Sequence, residues 1–206
     1  MSDILISEST TGARVAEADL GSTDVSVQQL LDKARKANAT VVWAHGGDLT
    51  EHGFRRVNGY TRLHAERAEA LGVADPTARP IDLSHCPTLA TDAFLDQWGH
   101  KRVNAGDEVD RDSIVVGLEE GGGFVGICRL WVAARLVDGP GLLPSARSPQ
   151  RKARLLQAAC TLLGPGSAEV DTWGEDDETL AAYVRLGLTV EVREAGWELV
   201  LPKNED

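Results

Sequence analysis

The alternation of short apolar strands with amphipathic helices in the second half of the chain most constrains how it can fold. Ser113–Glu119 and Phe124–Trp131 flank a Glu-Gly-Gly-Gly turn and predict a β-hairpin. A helix is predicted from Pro149, with Ser148 as its N-cap, to a stop at Gly164. Because strands are predicted on both sides of this helix, the pattern is typical of an α/β fold.

The remaining elements are predicted from hydrophobic period and from turn residues. Helices are expected at Val25–Asn38, Leu49–His52, Thr91–Trp98 and Glu178–Leu186. Strands are expected at Asp3–Ser7, Ala13–Asp19, Thr40–Ala44, Arg55–His64, Ala133–Val137, Ser167–Thr172, Leu188–Val192 and Trp197–Leu201. The sequence Asp138-Gly-Pro-Gly is typical of a turn.

A change of composition separates two parts of the chain. Residues 72–90 contain Gly72 and three prolines and show no sustained hydrophobic period, so they are predicted to be a linker. The predicted domains are therefore residues 1–71 and residues 91–206.

Charge and hydropathy narrow the classes of partner. The 206-residue chain has a net charge of −11 and a pI of about 4.9, which argues against a nucleic-acid-binding surface. Its apolar runs all fall short of the roughly 18 residues that a membrane span requires, so we expect no membrane partner. The start, Met1-Ser2-Asp3, does not resemble a secretory signal, and a cytoplasmic location follows by default.

The spacing of cysteines and histidines lacks the signatures of metal and disulfide sites. Cys86, Cys128 and Cys160 are odd in number and far apart, unlike a disulfide framework or a CxxC zinc motif. The five histidines show neither HxxxH nor HxH spacing. We therefore expect no metal site, and we expect the cysteines to pack mainly as small apolar residues.

The two parts of the chain share an order of elements that suggests duplication. Each is predicted to have a helix, a strand, a turn with tryptophan, glycine and an acid, a short helix stopped by glycine, and final strands. The turns begin at Trp43 and Trp173, and the stops are Gly53 and Gly187. We interpret the first part as a shortened copy of the second; the alternative is a chance similarity of two helix–strand units.

Four cations gather at the start of the helix that follows Ser148, namely Arg147, Arg151, Lys152 and Arg154. Cations oppose the dipole of a helix N-terminus by roughly 0.3–1 kcal/mol each, so their presence there in an acidic protein needs a reason. One interpretation is a bound anion that complements both the amides and the side chains. The other is a solvated basic face whose members pair with surface acids.

The second part contains four features in order: the hairpin Ser113–Trp131, the strand-to-helix element Ala133–Gly164, the strand Glu169–Trp173, and the motif Asp176, Thr179, Tyr183, Gly187 and Leu188. In this order they resemble the catalytic core of the GCN5-related N-acetyltransferases, the GNAT family. The last feature is similar to the family's Asn-xx-Ala-xxx-Tyr-xxx-Gly-Phe pattern. Residues 25–64 also resemble the first domain of tandem members such as mycothiol synthases. The resemblance implies a mixed, largely antiparallel sheet flanked by helices, with a partial second copy at the N-terminus.

The resemblance implies transfer of an acyl group from acetyl-CoA, or a related acyl-CoA, to an amine on a small molecule, directly within a ternary complex. Amides of Leu142 and Leu143 would hold the acyl carbonyl and the pantetheine chain, and Asp176 takes the family's asparagine position. The pyrophosphate would lie at Arg147, Ser148, Gln150, Arg151, Lys152 and Ala153. We therefore expect replacement of Arg151 and Lys152 to weaken CoA binding at least tenfold and to leave stability almost unchanged.

The chain departs from the family in its pyrophosphate loop, (Gln/Arg)-xx-Gly-x-(Gly/Ala). A loop starting at Arg147 has Gln150 at the first glycine position, and one starting at Gln150 has Ala153 there. Glycine lets the backbone approach a phosphate closely. We favour an N-acyltransferase. Because the loop glycine is missing, the alternative is a degenerate non-catalytic module that binds a protein partner or a metabolite. The sequence does not determine the oligomeric state, and a homodimer is one of the alternatives.

Two residues are candidates for proton transfer. Tyr183 falls on the family's tyrosine position, and a phenol with an ordinary pKa near 10 could protonate the departing thiolate. A core tyrosine packed against leucines is an equal alternative. Asp138 is the best-placed candidate base among three acids near strand ends, the others being Glu119 and Asp171, although an ordinary turn aspartate is the favoured interpretation.

Overall fold

The structure of the protein is a computed structural model that describes residues 4–8, 14–21, 23–82, 93 and 112–202. The helix predicted at Thr91–Trp98, apart from Ala93, and the cysteine at position 86 lie outside these residues. Among the described helices, none is long and apolar enough to cross a membrane.

The described residues form ten strands and three α-helices. The strands are β1 (Ile4–Glu8), β2 (Arg14–Asp19), β3 (Val41–His45), β4 (Arg55–Ala65), β5 (Ala78–Pro80), β6 (Ile114–Glu120), β7 (Gly123–Trp131), β8 (Leu136–Leu142), β9 (Ala168–Trp173) and β10 (Thr189–Val200). The helices are α1 (Val27–Lys36), α2 (Pro149–Leu162) and α3 (Asp177–Leu186). Short 3-10 helices lie at Thr50–His52, Ala68–Leu71 and Pro144–Ala146.

These elements belong to two compact units. The first contains the described residues of Met1–Tyr60 and Glu194–Asp206, and the second contains those of Thr61–Gly99 and Val103–Arg193. Strands β4 and β10 therefore contribute residues to both units. The domains at 1–71 and 91–206, with their linker, stay a prediction.

In the first unit, the strands follow the order β1-β2-β3-β10. Strands β1 and β2 are antiparallel, β2 and β3 are parallel, and β10 is antiparallel to β3. Helix α1 begins at a capping box in which Ser26 and Gln29 bond each other's backbone amides. It buries Leu30 and Ala34 in an apolar core that also contains Trp197.

In the second unit, the strands follow the order β4-β9-β8-β7-β6-β5. Antiparallel pairing joins β5 to β6, β6 to β7 and β7 to β8, whereas β8 and β9 are parallel. Helices α2 and α3 contribute Leu155, Leu156 and Tyr183 to a core shared with Leu130 and Val170 of the sheet. The prediction of a mixed, largely antiparallel sheet flanked by helices is confirmed.

Three local predictions were wrong. The sequence Asp138-Gly-Pro-Gly is not a turn but part of β8, where the register against β7 shifts between Ile127 and Arg129. Proline is tolerated in a strand at such an irregularity because the ladder is already interrupted. The two final strands are one strand, β10, and the strand predicted at Ala133–Val137 is a turn as far as Arg135, with β8 beginning at Leu136. Strand β5 lies within residues 72–90 and is paired with β6.

The order of elements predicted for both halves is present in the structure. Helix α1, β3, the 3-10 helix Thr50–His52 and β4 follow each other as α2, β9, α3 and β10 do. Both short helices stop at a glycine with positive φ, Gly53 at 81° and Gly187 at 108°. That the first half is a shortened duplicate stays a prediction.

Candidate active site

The parallel pairing of β8 and β9 ends part-way along both strands. Its rungs join Leu136 to Glu169, Val137 to Val170 and Asp138 to Asp171. Strand β8 continues to Leu142 and β9 to Trp173. In open α/β sheets, ligands bind beyond the carboxyl ends of such strands. The ladder end therefore marks where a substrate would approach the second unit.

Two carboxylates predicted as candidate bases meet at the last rung of this ladder. Asp138 accepts two hydrogen bonds at Oδ2, at 3.0 Å from Arg129 Nε and at 2.6 Å from Arg129 Nη2. Asp171 accepts one hydrogen bond on each oxygen from Arg62, at 2.8 and 3.0 Å. Two arginine–aspartate pairs thus lie side by side on four neighbouring strands, and Arg129 is itself buried.

A buried glutamate lies just beyond the end of β9. The Oε2 atom of Glu175 is 2.9 Å from Lys152 Nζ, in the first turn of α2. Its Oε1 atom accepts hydrogen bonds from the Thr172 and Tyr183 hydroxyls, each at 3.0 Å. All four side chains are buried, and Tyr183 is completely inaccessible. The structure thus joins α2, β9 and α3 through one carboxylate.

Local chain geometry places Glu175 in this cluster. Gly174 has φ of 73° and turns the chain out of β9. Asp176 then caps α3 by accepting a hydrogen bond from the Thr179 amide at 2.7 Å, and this bond lowers the pKa of Asp176. Burial raises the pKa of Glu175 above its ordinary value, and the adjacent Lys152 charge opposes that shift. The turn and the cap together leave Glu175 pointing inward.

The first turn of α2 receives no capping hydrogen bond from the side chain of its N-cap residue. Ser148 is the N-cap residue, as predicted, but its hydroxyl makes no capping bond and instead donates to Gln150 Oε1 at 2.9 Å. Pro149 has no amide hydrogen. The amides of Gln150 and Arg151 are therefore left without the usual side-chain cap, which is the arrangement that favours an anion.

Arg151, Lys152 and Arg154, which were predicted as cations of this helix start, are paired with acids. Arg151 contacts Glu120 with a shortest distance of 2.8 Å, and Arg154 bonds both Glu120 and Asp75. Lys152 is committed to the buried Glu175, whereas Arg147 is exposed. The arginine pairing matches the interpretation of a basic face paired with acids. A phosphate grip by Arg151 or Lys152 would require each to leave its partner.

Strand β8 ends in two leucines that were predicted to hold the acyl carbonyl and the pantetheine chain. Leu142 is buried in the core, opposite Gly126 of β7. The Leu143 amide donates to the Val125 carbonyl oxygen at 2.9 Å. Ala153, predicted to lie at the pyrophosphate, is also buried. The Leu143 role would therefore require exchange of an existing backbone bond.

The two described cysteines are poor nucleophiles. Cys128 and Cys160 are both buried. Burial raises the pKa of the Cys160 thiol to about 12 and that of Cys128 well above its ordinary value. Because the thiolate is the reactive form, neither cysteine is suited to carry an acyl group.

Comparison with solved structures finds similar folds in proteins described as acetyltransferases. A proposed acetyltransferase from Pyrococcus horikoshii superposes with a TM-score of 0.59 at 11% identity, over 87% of this chain and 59% of that protein. A GCN5-related N-acetyltransferase from Sphaerobacter thermophilus gives 0.55 at 14% identity, over 84% and 64%. This chain has the GNAT fold. A tandem GNAT protein of the clavulanic acid biosynthesis pathway gives 0.54 at 14% identity, over 94% and 77%.

The resemblance in sequence is much weaker than the resemblance in fold. The chain spans less than two thirds of the length of the first two of these proteins. No protein-family model matches it, and the search of curated proteins gave no match. The GNAT fold is therefore established here by structure alone.

Sequence reasoning missed the residue at the centre of the site. In the sequence, Glu175 is only the acid of the turn that begins at Trp173, and Thr172 is only the end of a predicted strand. The signal that could have pointed to Glu175 is its position between a turn glycine and the Asp176 cap, eight residues before Tyr183. Its pairing with Lys152 spans 23 residues, which no local pattern reveals.

Proposed function

We propose that this protein is an N-acyltransferase that transfers an acyl group from acetyl-CoA, or a related acyl-CoA, to an amine on a small molecule. The observation that carries the proposal is the Tyr183 hydroxyl bonded to the buried Glu175, just beyond the end of the β8–β9 ladder. Its location on a GNAT fold supports acyl transfer over other chemistries of the same residues.

The proposed reaction is direct. The amine nitrogen attacks the thioester carbonyl carbon, the new C–N bond forms, and the C–S bond breaks with departure of the CoA thiolate. Tyr183 is the proposed donor of a proton to that sulfur, which requires its hydroxyl, inaccessible in this structure, to leave Glu175 and face the thioester; a proton from solvent then restores the phenol.

The proton of the incoming ammonium goes to the aspartates at the last rung. Asp138 and Asp171 are neighbours in register, and each retains a carboxylate beside a guanidinium. We assign the base role to Asp138, since it lies next to Gly139 and the ladder end. The two described cysteines, both buried, support transfer within a ternary complex rather than through an acyl-enzyme on either of them.

The first turn of α2 is the proposed place for the pyrophosphate. The uncapped amides of Gln150 and Arg151 and the exposed Arg147 fit an anion there. Asp176 is assigned to capping α3, which fixes the turn that carries Glu175. We further propose that the first unit is a shortened copy of the second, as in a tandem arrangement, and that the protein acts in the cytoplasm.

Titration calorimetry with acetyl-CoA tests the binding half of the proposal. We expect saturable binding and a rise of the unfolding midpoint with ligand concentration, because the folded state alone binds. Release of CoA thiol in the presence of an amine library tests the transfer half. Desulfo-CoA, which lacks the sulfur, is the matched control because it should bind without releasing thiol.

The rival explanation is a degenerate module that has kept the fold and lost the reaction. It predicts no calorimetric signal at millimolar acetyl-CoA, and that result would overturn the proposal. Binding of acetyl-CoA without thiol release from any amine would refute the catalytic assignment and leave only a CoA-binding module.

A further inference from the structure

Three strands of the second unit bring one histidine and two glutamates together. His64 lies on β4, Glu169 on β9 and Glu191 on β10, and these strands are neighbours in the sheet. The candidate ligand atoms of the three side chains all lie within 4.8 Å of one another. His64 Nδ1 is 3.9 Å from Glu169 Oε1 and 3.9 Å from Glu191 Oε1.

The histidine nitrogen that faces the two carboxylates has no hydrogen-bond partner among the described residues. His64 Nδ1 is buried and makes no hydrogen bond to any described residue. The rest of the ring is partly exposed, and 43% of the Glu169 side chain and 44% of the Glu191 side chain are accessible. A polar atom buried without a partner carries a free-energy cost that a metal bond would remove.

The surrounding charges favour a cation. Arg62 is paired with two carboxylates, those of Glu169 and Asp171, and Glu191 adds a third negative charge beside His64. Arg62 bonds both oxygens of Asp171 and lies 3.4 Å from Glu169 Oε2, the oxygen that does not face His64. Arg62 therefore holds Glu169 by the oxygen that points away from His64, as residues that contact metal ligands commonly do.

We propose that His64, Glu169 and Glu191 bind one zinc ion. One imidazole and two carboxylates suit a first-row divalent ion better than magnesium or calcium, which prefer oxygen ligands alone. Three protein ligands leave a fourth position for water, as in zinc sites that are not purely structural. Tetrahedral bonds of about 2.0–2.2 Å place donors roughly 3.3 Å apart, so small rotations of these accessible side chains suffice.

The consequence is a cross-link of three strands next to the proposed active site. Glu169 and Asp171 are separated by one residue on β9, and Asp171 forms the last rung with Asp138. A bound ion would fix Glu169 and so the position of β9 at the ladder end. The zinc proposal does not rest on acyl transfer and can stand or fall without it.

Competition between the full-length, tag-free protein and a chromophoric zinc chelator tests the site. We expect one zinc ion per chain, and at least tenfold weaker binding in His64→Asn and in Glu191→Gln, which corresponds to roughly 1.4 kcal/mol. The matched controls are His52→Asn and Glu194→Gln, both exposed, and they should bind zinc within twofold of the unchanged protein. Glu191 is exposed, so its variant retains the fold even if replacement of His64 disturbs it.

Cobalt(II) absorption identifies the ligands independently. We expect visible d–d bands without the near-ultraviolet charge-transfer band of a thiolate, and loss of those bands in both site variants. A thiolate band would place the ion on a cysteine and overturn the assignment. So would zinc affinity unchanged in His64→Asn and Glu191→Gln, no zinc binding at 100 μM, or displacement of zinc by equimolar magnesium or calcium.

Discussion

The hydroxyl of Tyr183 donates a hydrogen bond to Oε1 of Glu175 at 3.0 Å, and both side chains are buried. This one contact unites the two interpretations of Tyr183 that the sequence leaves equal. The ring packs in the core of the second unit, and its polar end belongs to a charged cluster. The tyrosine can therefore be both a core residue and a proton donor.

Replacement of Tyr183 by phenylalanine separates these roles. We expect Tyr183→Phe to lower kcat by about 10²–10⁴-fold with little change in the KM for acetyl-CoA, because only the proton donor is removed. The free energy of unfolding should fall by about 1.5–3 kcal/mol, since a hydrogen bond to a buried charged group is lost. Steady-state kinetics and urea unfolding measure the two effects.

The other tyrosine of the chain provides the control. Tyr60→Phe makes the same chemical change in the first unit and should leave kcat within twofold. A Tyr183→Phe variant that loses stability but retains kcat would make Tyr183 a core residue only.

Lys152 and Arg151 are adjacent in sequence but should differ sharply when replaced. Lys152→Met breaks a buried pair and leaves Glu175 uncompensated, so we expect a loss of about 3–5 kcal/mol in the free energy of unfolding. Arg151→Ala breaks a half-exposed pair with Glu120 and should cost about 0–1 kcal/mol. This replaces the expectation from sequence that both changes leave stability unaltered.

A double variant tests whether the Lys152 effect arises from the pair. Lys152→Met with Glu175→Gln removes both charges, and the double variant should recover most of the lost stability. Additive losses in urea unfolding would show that the two residues act independently.

Asp75 should stabilise the fold above its ordinary titration range and lose that effect in acid. Hydrogen bonds from Thr77, followed by the Arg154 interaction, lower the pKa of Asp75 from 3.8 to about 2. The folded state therefore holds this proton less tightly than the unfolded state, and stability falls as pH drops through the range from about 4 to 2. Asp75→Asn should be less stable than the unchanged protein at pH 6.

The difference in the free energy of unfolding between Asp75→Asn and the unchanged protein should shrink as the pH falls from 4 to 2. Urea unfolding at a series of pH values measures it, with Glu51→Gln as the control in an exposed position of the first unit. A difference that stays constant over this range would mean that the Asp75 charge does not contribute to stability.

Sequence patterns were most informative where neighbouring residues determine the structure. Helix α2 begins at Pro149 because Ser148 and Pro149 are a helix-start pair, and β6 and β7 form a hairpin because their apolar runs flank a glycine turn. The cluster of Lys152 and Glu175 could not be predicted in this way, since it depends on where α2 and β9 pack. The same holds for His64, whose glutamate partners are more than 100 residues away along the chain.

The turn predicted at Asp138 failed for a related reason. Local propensity favours a turn in Asp-Gly-Pro-Gly, but pairing with β7 and with β9 keeps this segment extended. Glycine is needed at position 139 for a reason unrelated to turns. Without a Cβ, Gly139 lets the side chain of Thr172 lie directly against its backbone. Its role is therefore close approach and not backbone flexibility.

Gly139→Ala tests this close approach. A Cβ at position 139 would collide with the Thr172 side chain and come close to its backbone, so one strand must shift. We expect a loss of about 1–3 kcal/mol in the free energy of unfolding, the usual cost of overpacking. Because Thr172 also donates to Glu175, the shift should weaken that bond and lower kcat.

Gly123→Ala is the matched control, since a Cβ on Gly123 has no described atom within 4 Å and should cost little. Equal stability of the two variants would show that β8 and β9 separate readily at this point, and would remove the structural reason for glycine at position 139.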